Sequence, residues 1–313
     1  MTRIERLHSR MRNNVENYPY PHLGKEAIAQ VEMSDKDRIF AIQSGTWIPY
    51  PRAKQILARM EELFEYPRID RMPNMLIVGA SNNGKTNILH HFENKHKPDP
   101  NAEGDYAIIS VIFVEAPKKP DMNDFYNRIL EAIWKPYSIR ARDSDKEREV
   151  IKVLRNIQLK VLMIDEIQHI TAGGQVKQKE FRNGLKSLGN ELKISIIGAG
   201  VEEAFNAFNT DPQLSNRFEP EFLPKWKMNN EYGDLLASFE KRIPLKKPSN
   251  LRDPALAQKV LWMSEGILGE IHEVLKRAAI QAIKDKSEQI SLDSIAKIRW
   301  TMPSKRKVAP PPT

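Results

Sequence analysis

Hydrophobic positions along this chain follow two rhythms. Met75-Leu76-Ile77-Val78 is an unbroken apolar run closed by Gly79, and similar runs stand at Ala107 to Val114, Val161 to Ile164 and Ile194 to Ile197. Between them the apolar residues recur at helical spacing: Phe125, Ile129, Leu130 and Ile133 in one stretch, Phe181, Leu185 and Leu188 in another. Short Val- and Ile-rich strands that do not alternate with polar residues are buried on both faces. Interleaved with helices, they predict a parallel sheet covered on both sides. A fifth, weaker strand is expected near 220–226. Upstream, Ser34 is a good N-cap for a helix carrying Ile39, Phe40 and Ile42. Pro49, Pro51 and Pro67 bracket a second helix with Ile56, Leu57, Met60, Leu63 and Phe64 on one side.

After about residue 228 the strand pattern stops. Asp253-Pro254 reads as N-cap and first helical residue. Ile267, Ile271, Val274, Ala278 and Ala282 form a further stripe, and Ser291 opens a segment with Leu292, Ile295 and Ile298. The predicted fold class is α/β, a parallel-sheet core with a small C-terminal helical lid domain. The expected divisions are an N-terminal extension for partner or oligomer contact (1–45), the core (46–227), the lid (228–302) and a disordered basic, proline-rich tail (303–313).

Composition narrows the function. The 313 residues include no cysteine, which excludes a disulfide scaffold and Cys-ligated zinc or iron–sulfur sites. Lys and Arg number 49 against 41 Asp and Glu, for a net charge of +8. That balance favours an anionic partner, nucleic acid before membrane. No apolar run approaches the roughly 20 residues of a membrane span. The opening residues Met1 to Arg6 are charged and carry no apolar leader, so the expectation is a cytoplasmic protein with no membrane partner. The five tryptophans are scattered and read as core or interface residues.

Two motifs carry chemistry. Gly79-Ala80-Ser81-Asn82-Asn83-Gly84-Lys85-Thr86 fits G-x-x-x-x-G-K-[ST], with a strand before it and a helix after it. The two glycines let the backbone curl so that its N–H groups face phosphates, and the helix start, through Asn87, adds positive potential. Lys85 is placed to reach the β- and γ-phosphates of ATP, and the Thr86 hydroxyl to coordinate Mg²⁺. The second motif is Val161-Leu162-Met163-Ile164-Asp165-Glu166, a buried strand that delivers two adjacent carboxylates at its end. Asp165 is the candidate Mg²⁺ ligand and Glu166 the candidate activator of water. Such a pair favours hydrolysis over phosphoryl transfer to a small molecule. The expected nucleotide sensor at the end of the Ile194–Ile197 strand lacks a polar side chain, because Ser195 comes too early. Arg217, in the helix-to-strand transition after that strand, suits an arginine finger projecting to a neighbouring subunit, or a surface arginine paired with Glu219 or Glu221.

Together these stretches resemble the AAA+ ATPases that regulate DNA transposition, the TniB/TnsC type, and are most similar to the TniB branch. The resemblance rests on Ile48 to Ala53, Arg71-Met72-Pro73-Asn74 leading into the Asn82-Asn83-Gly84-Lys85-Thr86 loop, Asp211 to Pro220, Arg242 to Leu245 and Ser264 to Ile271, spanning about 45–285. It implies a bacterial, DNA-associated, oligomerising ATPase that forms rings or helical filaments on double-stranded DNA. Its implied partners are a TniQ-type target-selection protein and a transposase. By this pattern Lys85, Thr86, Asp165 and Glu166 carry nucleotide chemistry and Arg217 acts in trans. Gly269 stands near where the lid arginine of such ATPases is expected, a departure compatible with slow or partner-dependent hydrolysis.

Lys118 and Lys119, displayed between Pro117 and Pro120, and Lys135 after the following helix are the candidate DNA contacts. Two alternatives keep the same core: a helicase-loader or IstB-like helper that prefers single strands, and a signalling NTPase without nucleic acid.

Overall fold

The computed structural model describes residues 19–45, 47–139, 141–209 and 212–307. Two compact units emerge: Pro49–Lys225, and a second built from the described residues of Met1–Ile48 and of Trp226–Thr313.

The first unit is organised by five strands, β1 (Asn74–Gly79), β2 (Val111–Glu115), β3 (Val161–Asp165), β4 (Ser195–Gly200) and β5 (Phe218–Leu223). They pair in the order β2-β3-β4-β1-β5, every neighbour parallel. All five C-terminal ends therefore lie along one edge. On one face Leu76, Val78, Ile112, Val114, Leu162 and Ile164 cluster with Phe125, Ile129, Val150, Leu154, Phe181 and Leu185 from the covering helices. Burying each such side chain contributes about 1.5–3 kcal/mol, which is why the unalternated runs become central strands.

Three differences from the sequence pattern have local causes. The 107–114 run pairs with β3 only from Val111, because Ile108 instead bridges Asp99 in antiparallel fashion and Ile109 N–H bonds the Ile157 carbonyl. The fifth strand starts at Phe218, earlier than expected. It is an edge strand whose Glu219 and Glu221 face outward to Arg59 and Arg52, each at 2.5 Å, so its apolar signal is thin. A helix not anticipated, Asp143–Asn156, buries Lys146, Val150 and Leu154 on its inner side.

In the second unit, helices Lys25–Val31 and Asp35–Ser44 belong with helices Asn230–Glu240, Pro254–Ser264, Leu268–Lys284 and Leu292–Lys297. Ser34 caps its helix by accepting from Asp37 N–H. The fully buried Arg38 donates to both oxygens of Glu288, at 2.7 and 2.6 Å, and to the Pro244 carbonyl. Of the expected tail, Pro303–Lys307 forms a 3-10 turn, with Arg306 forked onto Glu270 at 3.0 and 2.7 Å and stacked on Trp300. Residues 308–313 lie outside the described residues, as does Asp211 of the resemblance. Among the described residues, no helix is long and apolar enough to cross a membrane.

Candidate functional site

The G-x-x-x-x-G-K-T segment leaves the end of β1 and enters helix Lys85–Lys95. Gly84 adopts the left-handed conformation, φ 91° and ψ 8°, in the N-cap position without a side-chain cap, so the first helical N–H groups face the loop's concavity. Gly79 is required for space: a Cβ there would stand 3.0 Å from the Leu223 Cβ and 3.1 Å from its carbonyl oxygen. The buried Asn83 side chain donates to the Leu223 carbonyl at 2.9 Å and the Pro224 carbonyl at 3.3 Å, tying the loop to the end of β5.

Lys85 is buried, and its ammonium donates to the carbonyls of Gly79 (2.9 Å) and Ala80 (3.0 Å) at the mouth of the loop. Burial pushes its pKa below the ordinary lysine value, an effect the nearby Glu166 and Asp165 carboxylates partly oppose. β3 ends at Asp165, two strands from β1 and so about 10 Å away across β4. The gap is closed by Thr86, whose hydroxyl donates to Asp165 Oδ2 at 2.5 Å. Hydroxyl and carboxylate together make an all-oxygen donor set suited to Mg²⁺, which takes one or two carboxylates and completes its shell from phosphates and water. Among the described residues there is no group of three His, Cys, Asp or Glu that could hold a metal.

Glu166 sits beyond the strand at φ 52°, in the left-handed region that non-glycine residues rarely adopt. Its N–H bonds Asp165 Oδ1 at 2.9 Å, and its Oε2 accepts from Gln168 Nε2. Gln168, in the 3-10 turn Ile167–Thr171, is a residue the sequence reading passed over. Its Oε1 accepts from Val201 N–H at 3.3 Å just past β4, beside the expected sensor position, where β4 itself supplies no polar side chain. The signal available in the sequence was an amide two positions after the acidic pair.

The other candidates separate. Glu115 pairs with Asp165 in the β2–β3 register and Ala116 N–H bonds the Asp165 carbonyl at 2.9 Å, so the exposed Lys118 and Lys119 begin their loop beside the acidic pair. Lys135 follows helix Met122–Ala132, whose eleven residues span about 16 Å, and does not cluster with them. Trp134 next to it is 93% exposed at φ 57°, and Trp262 is 54% exposed, so of the core-or-interface reading neither fits the core half. Arg217 immediately precedes β5, its carbonyl accepting from Asn74 N–H at the start of β1. The register runs from Asn74 opposite Phe218 to Gly79 opposite Leu223, so Arg217 and its own phosphate loop lie at opposite ends of the sheet, about 17 Å apart. Its guanidinium donates to Asn190 at 2.9 Å, while Glu219 and Glu221 pair elsewhere. With Arg71, Arg217 lines an open groove along this edge.

Solved structures share this architecture. The chain is similar to the ORC2 protein of Aeropyrum pernix in ADPNP–ADP complexes, with 17% identity over 82% of this chain and 70% of that one and a TM-score of 0.60. It is similar to Aeropyrum pernix ORC1 in complex with DNA (13% identity, 82% and 67%, TM-score 0.56) and to Cdc6p of Pyrobaculum aerophilum (16%, 84% and 69%, TM-score 0.55). At such identities the likeness speaks for the fold: a P-loop, AAA+-type parallel-sheet core with a C-terminal helical domain. No curated protein matches the chain. Residues 38–228, more than half of its length, match the family described as bacterial TniB protein, and the chain belongs to that family.

Proposed function

We propose that this chain is an ATP-dependent, self-assembling, DNA-binding regulator that marks target DNA and recruits or activates a transposase. The observation that carries the reading is the division of the site. Lys85, Thr86, Asp165 and Glu166 converge at one edge of the sheet, whereas Arg217 stands at the other. A copy of the chain holds a triphosphate with the first set and offers the arginine only to a neighbour's. ATP then acts as glue between copies, and hydrolysis loosens the joint. Membership of the TniB family supports a role in transposition, and a transposase and a TniQ-type protein fit as partners.

In the proposed reaction Lys85 and the helix N-terminus bind the phosphates, and Thr86 and Asp165 hold Mg²⁺. The ion, when bound, neutralises charge building on the phosphate oxygens. Glu166 accepts a proton from a water whose oxygen attacks the γ-phosphorus, and the bond to the β-phosphate oxygen breaks to give ADP and phosphate. Arg217 of a neighbour stabilises the transition-state charge. Lys118 and Lys119 meet the DNA backbone, and repetition around an oligomer multiplies their modest individual contribution.

Electron microscopy with duplex DNA and a non-hydrolysable ATP analogue tests this. Rings or filaments that need both ligands are expected. Assembly on single strands only indicates a helicase-loader-like helper, and assembly indifferent to DNA indicates a signalling NTPase.

A further inference from the structure

The structure assigns Arg71 a part in a neighbour's reaction: with Arg217 it forms a two-pronged clamp for the γ-phosphate held by the adjoining copy. This deepens the ATPase reading above and rests on it. Arg71 and Arg217 line the same open groove, together with Tyr66, Asn216 and Glu219, at the edge where β1 and β5 begin. The Arg71-Met72-Pro73-Asn74 segment has no other part in the nucleotide chemistry described above.

The ledge that carries Arg71 is fixed at both ends. Upstream, Arg68 donates to the Leu159 carbonyl at 3.0 Å, and Ile69 N–H meets the Sδ of the buried Met72 at 3.4 Å. Pro73 has a fixed φ and biases Met72 toward extended backbone. Downstream, Asn74 ties three strands together. Its N–H bonds the Arg217 carbonyl at 3.0 Å, and its Oδ1 accepts from Ile196 N–H at 2.8 Å. The Asn74 amide is buried, so breaking these bonds leaves unsatisfied groups away from water. Three residues of chain reach no further than about 11 Å. Arg71 therefore stands close to Arg217, and one buried residue holds the two in register.

The charges around the groove leave Arg71 without a local anion. Asp70 beside it pairs with Lys193 at 2.8 Å, and Glu219 on the groove wall pairs with Arg59 at 2.5 Å. Arg217 donates to the neutral Asn190 at 2.9 Å. Arg71 is exposed and, among the described residues, makes no hydrogen bond or ion pair. Two guanidiniums on one groove, neither paired with a carboxylate among the described residues, repel each other until a polyanion enters. A γ-phosphoryl group in transfer spreads its charge over three equatorial oxygens, more than one planar fork covers. Lys118 and Lys119 depart from the end of β2, at the opposite edge of the sheet. The groove therefore favours a neighbour's triphosphate over the DNA backbone.

Steady-state ATPase assays of the full chain on duplex DNA at saturating ATP test this with Arg71→Ala. The expected result is kcat lowered roughly thirtyfold or more. The unfolding midpoint without nucleotide stays unchanged, because Arg71 supports nothing in its own chain. Arg71→Lys keeps the charge, loses the fork and regains only part of the rate. Mixing then locates the residue. In equal amounts with Glu166→Gln copies, Arg71→Ala is expected to recover to about a quarter of wild type, since that share of joints pairs an intact donor with an intact acceptor. With Arg217→Ala copies no recovery is expected, because no donor carries both arginines. An unchanged kcat in Arg71→Ala, no recovery in the first mixture, or recovery in the second overturns the clamp. So does a fall in DNA affinity with kcat at saturating DNA intact, which would make the groove a DNA-backbone contact. Recovery of Arg217→Ala by Glu166→Gln leaves the ATPase reading standing in each of those cases. Absence of ATP turnover by the wild-type chain with and without DNA overturns both.

Discussion

Lys85 shows how a single position can be prepared for the anion that the proposed function requires. Its ammonium is desolvated, its pKa pushed down by burial, and its hydrogen bonds are to the neutral carbonyls of Gly79 and Ala80. A polyanion delivered to the loop offers charge-assisted bonds in their place, roughly twice as strong as neutral ones. Lys85→Ala is therefore expected to weaken ATP affinity by at least a hundredfold. A ligand at a hundred times its Kd stabilises the native state by about 2.7 kcal/mol. Thermal unfolding checks the prediction, because wild-type protein with saturating Mg²⁺-ATP melts several degrees higher while the variant's midpoint stays put. A full shift in the variant would detach the lysine from the nucleotide. In the proposed site, spacing alone places Lys85 and Thr86 at the strand end and helix start, whereas Asp165 meets Thr86 only through the pairing of β3, β4 and β1. Asn83 was legible only as a loop member. That its side chain pins the loop to Leu223 depends on β5 lying beside β1, a pairing across 140 residues that no local pattern encodes.

At the scale of elements, the sequence was clearest where burial is two-sided. β1, β3 and β4 appear as unbroken apolar runs because helices cover both faces, whereas β5, exposed at the edge, was blurred by its outward glutamates. Helix Asp143–Asn156 was hidden for a different reason. Its inner stripe reads Lys146, Val150, Leu154, and a lysine in the first slot breaks the apolar pattern. The ammonium is buried because Asn123 and Asn127 accept from it, the latter at 2.7 Å. Placement of helix Asp35–Ser44 likewise turns on a partner 250 residues away. Burial pushes the Glu288 carboxyl up, but the Arg38 fork and Lys246 N–H outweigh it and hold the group below the ordinary carboxylate range. A carboxylate with a depressed folded pKa adds stability that is present above its unfolded value of about 4.3 and is lost as pH falls through the folded one. Glu288→Gln leaves Arg38 buried with its main partner neutralised, which costs about 3–5 kcal/mol at pH 7. Urea unfolding at pH 7 and pH 3 is expected to show that loss at pH 7 and a much smaller difference from wild type at pH 3. Equal differences at both would mean that the pair does not govern acid stability.

At the scale of the whole molecule, the proposed role of Arg217, which stands at the far end of the sheet from its own phosphate loop, asks for a second copy. In the proposed assembly a head-to-tail interface would bring the β5 start of one copy to the phosphate loop of the next, and such heterologous contacts propagate as rings or helices. Arg217→Ala then disables every joint as donor, and Glu166→Gln disables every joint as acceptor, so each homogeneous assembly is nearly inert. Mixing the two changes the count. A joint in which the Glu166→Gln copy supplies its intact Arg217 to the intact Glu166 of an Arg217→Ala copy is complete, and random mixing at equal amounts yields about a quarter of joints of that kind. Turnover in the mixture, measured on duplex DNA at saturating ATP, is expected to approach that fraction of wild type, well above the sum of the separate variants. The gain should vanish on dilution below the assembly threshold, since it belongs to the joint and not to either chain. A mixture no better than its components would place Arg217 outside the neighbour's site and remove the reason for ATP to join copies at all.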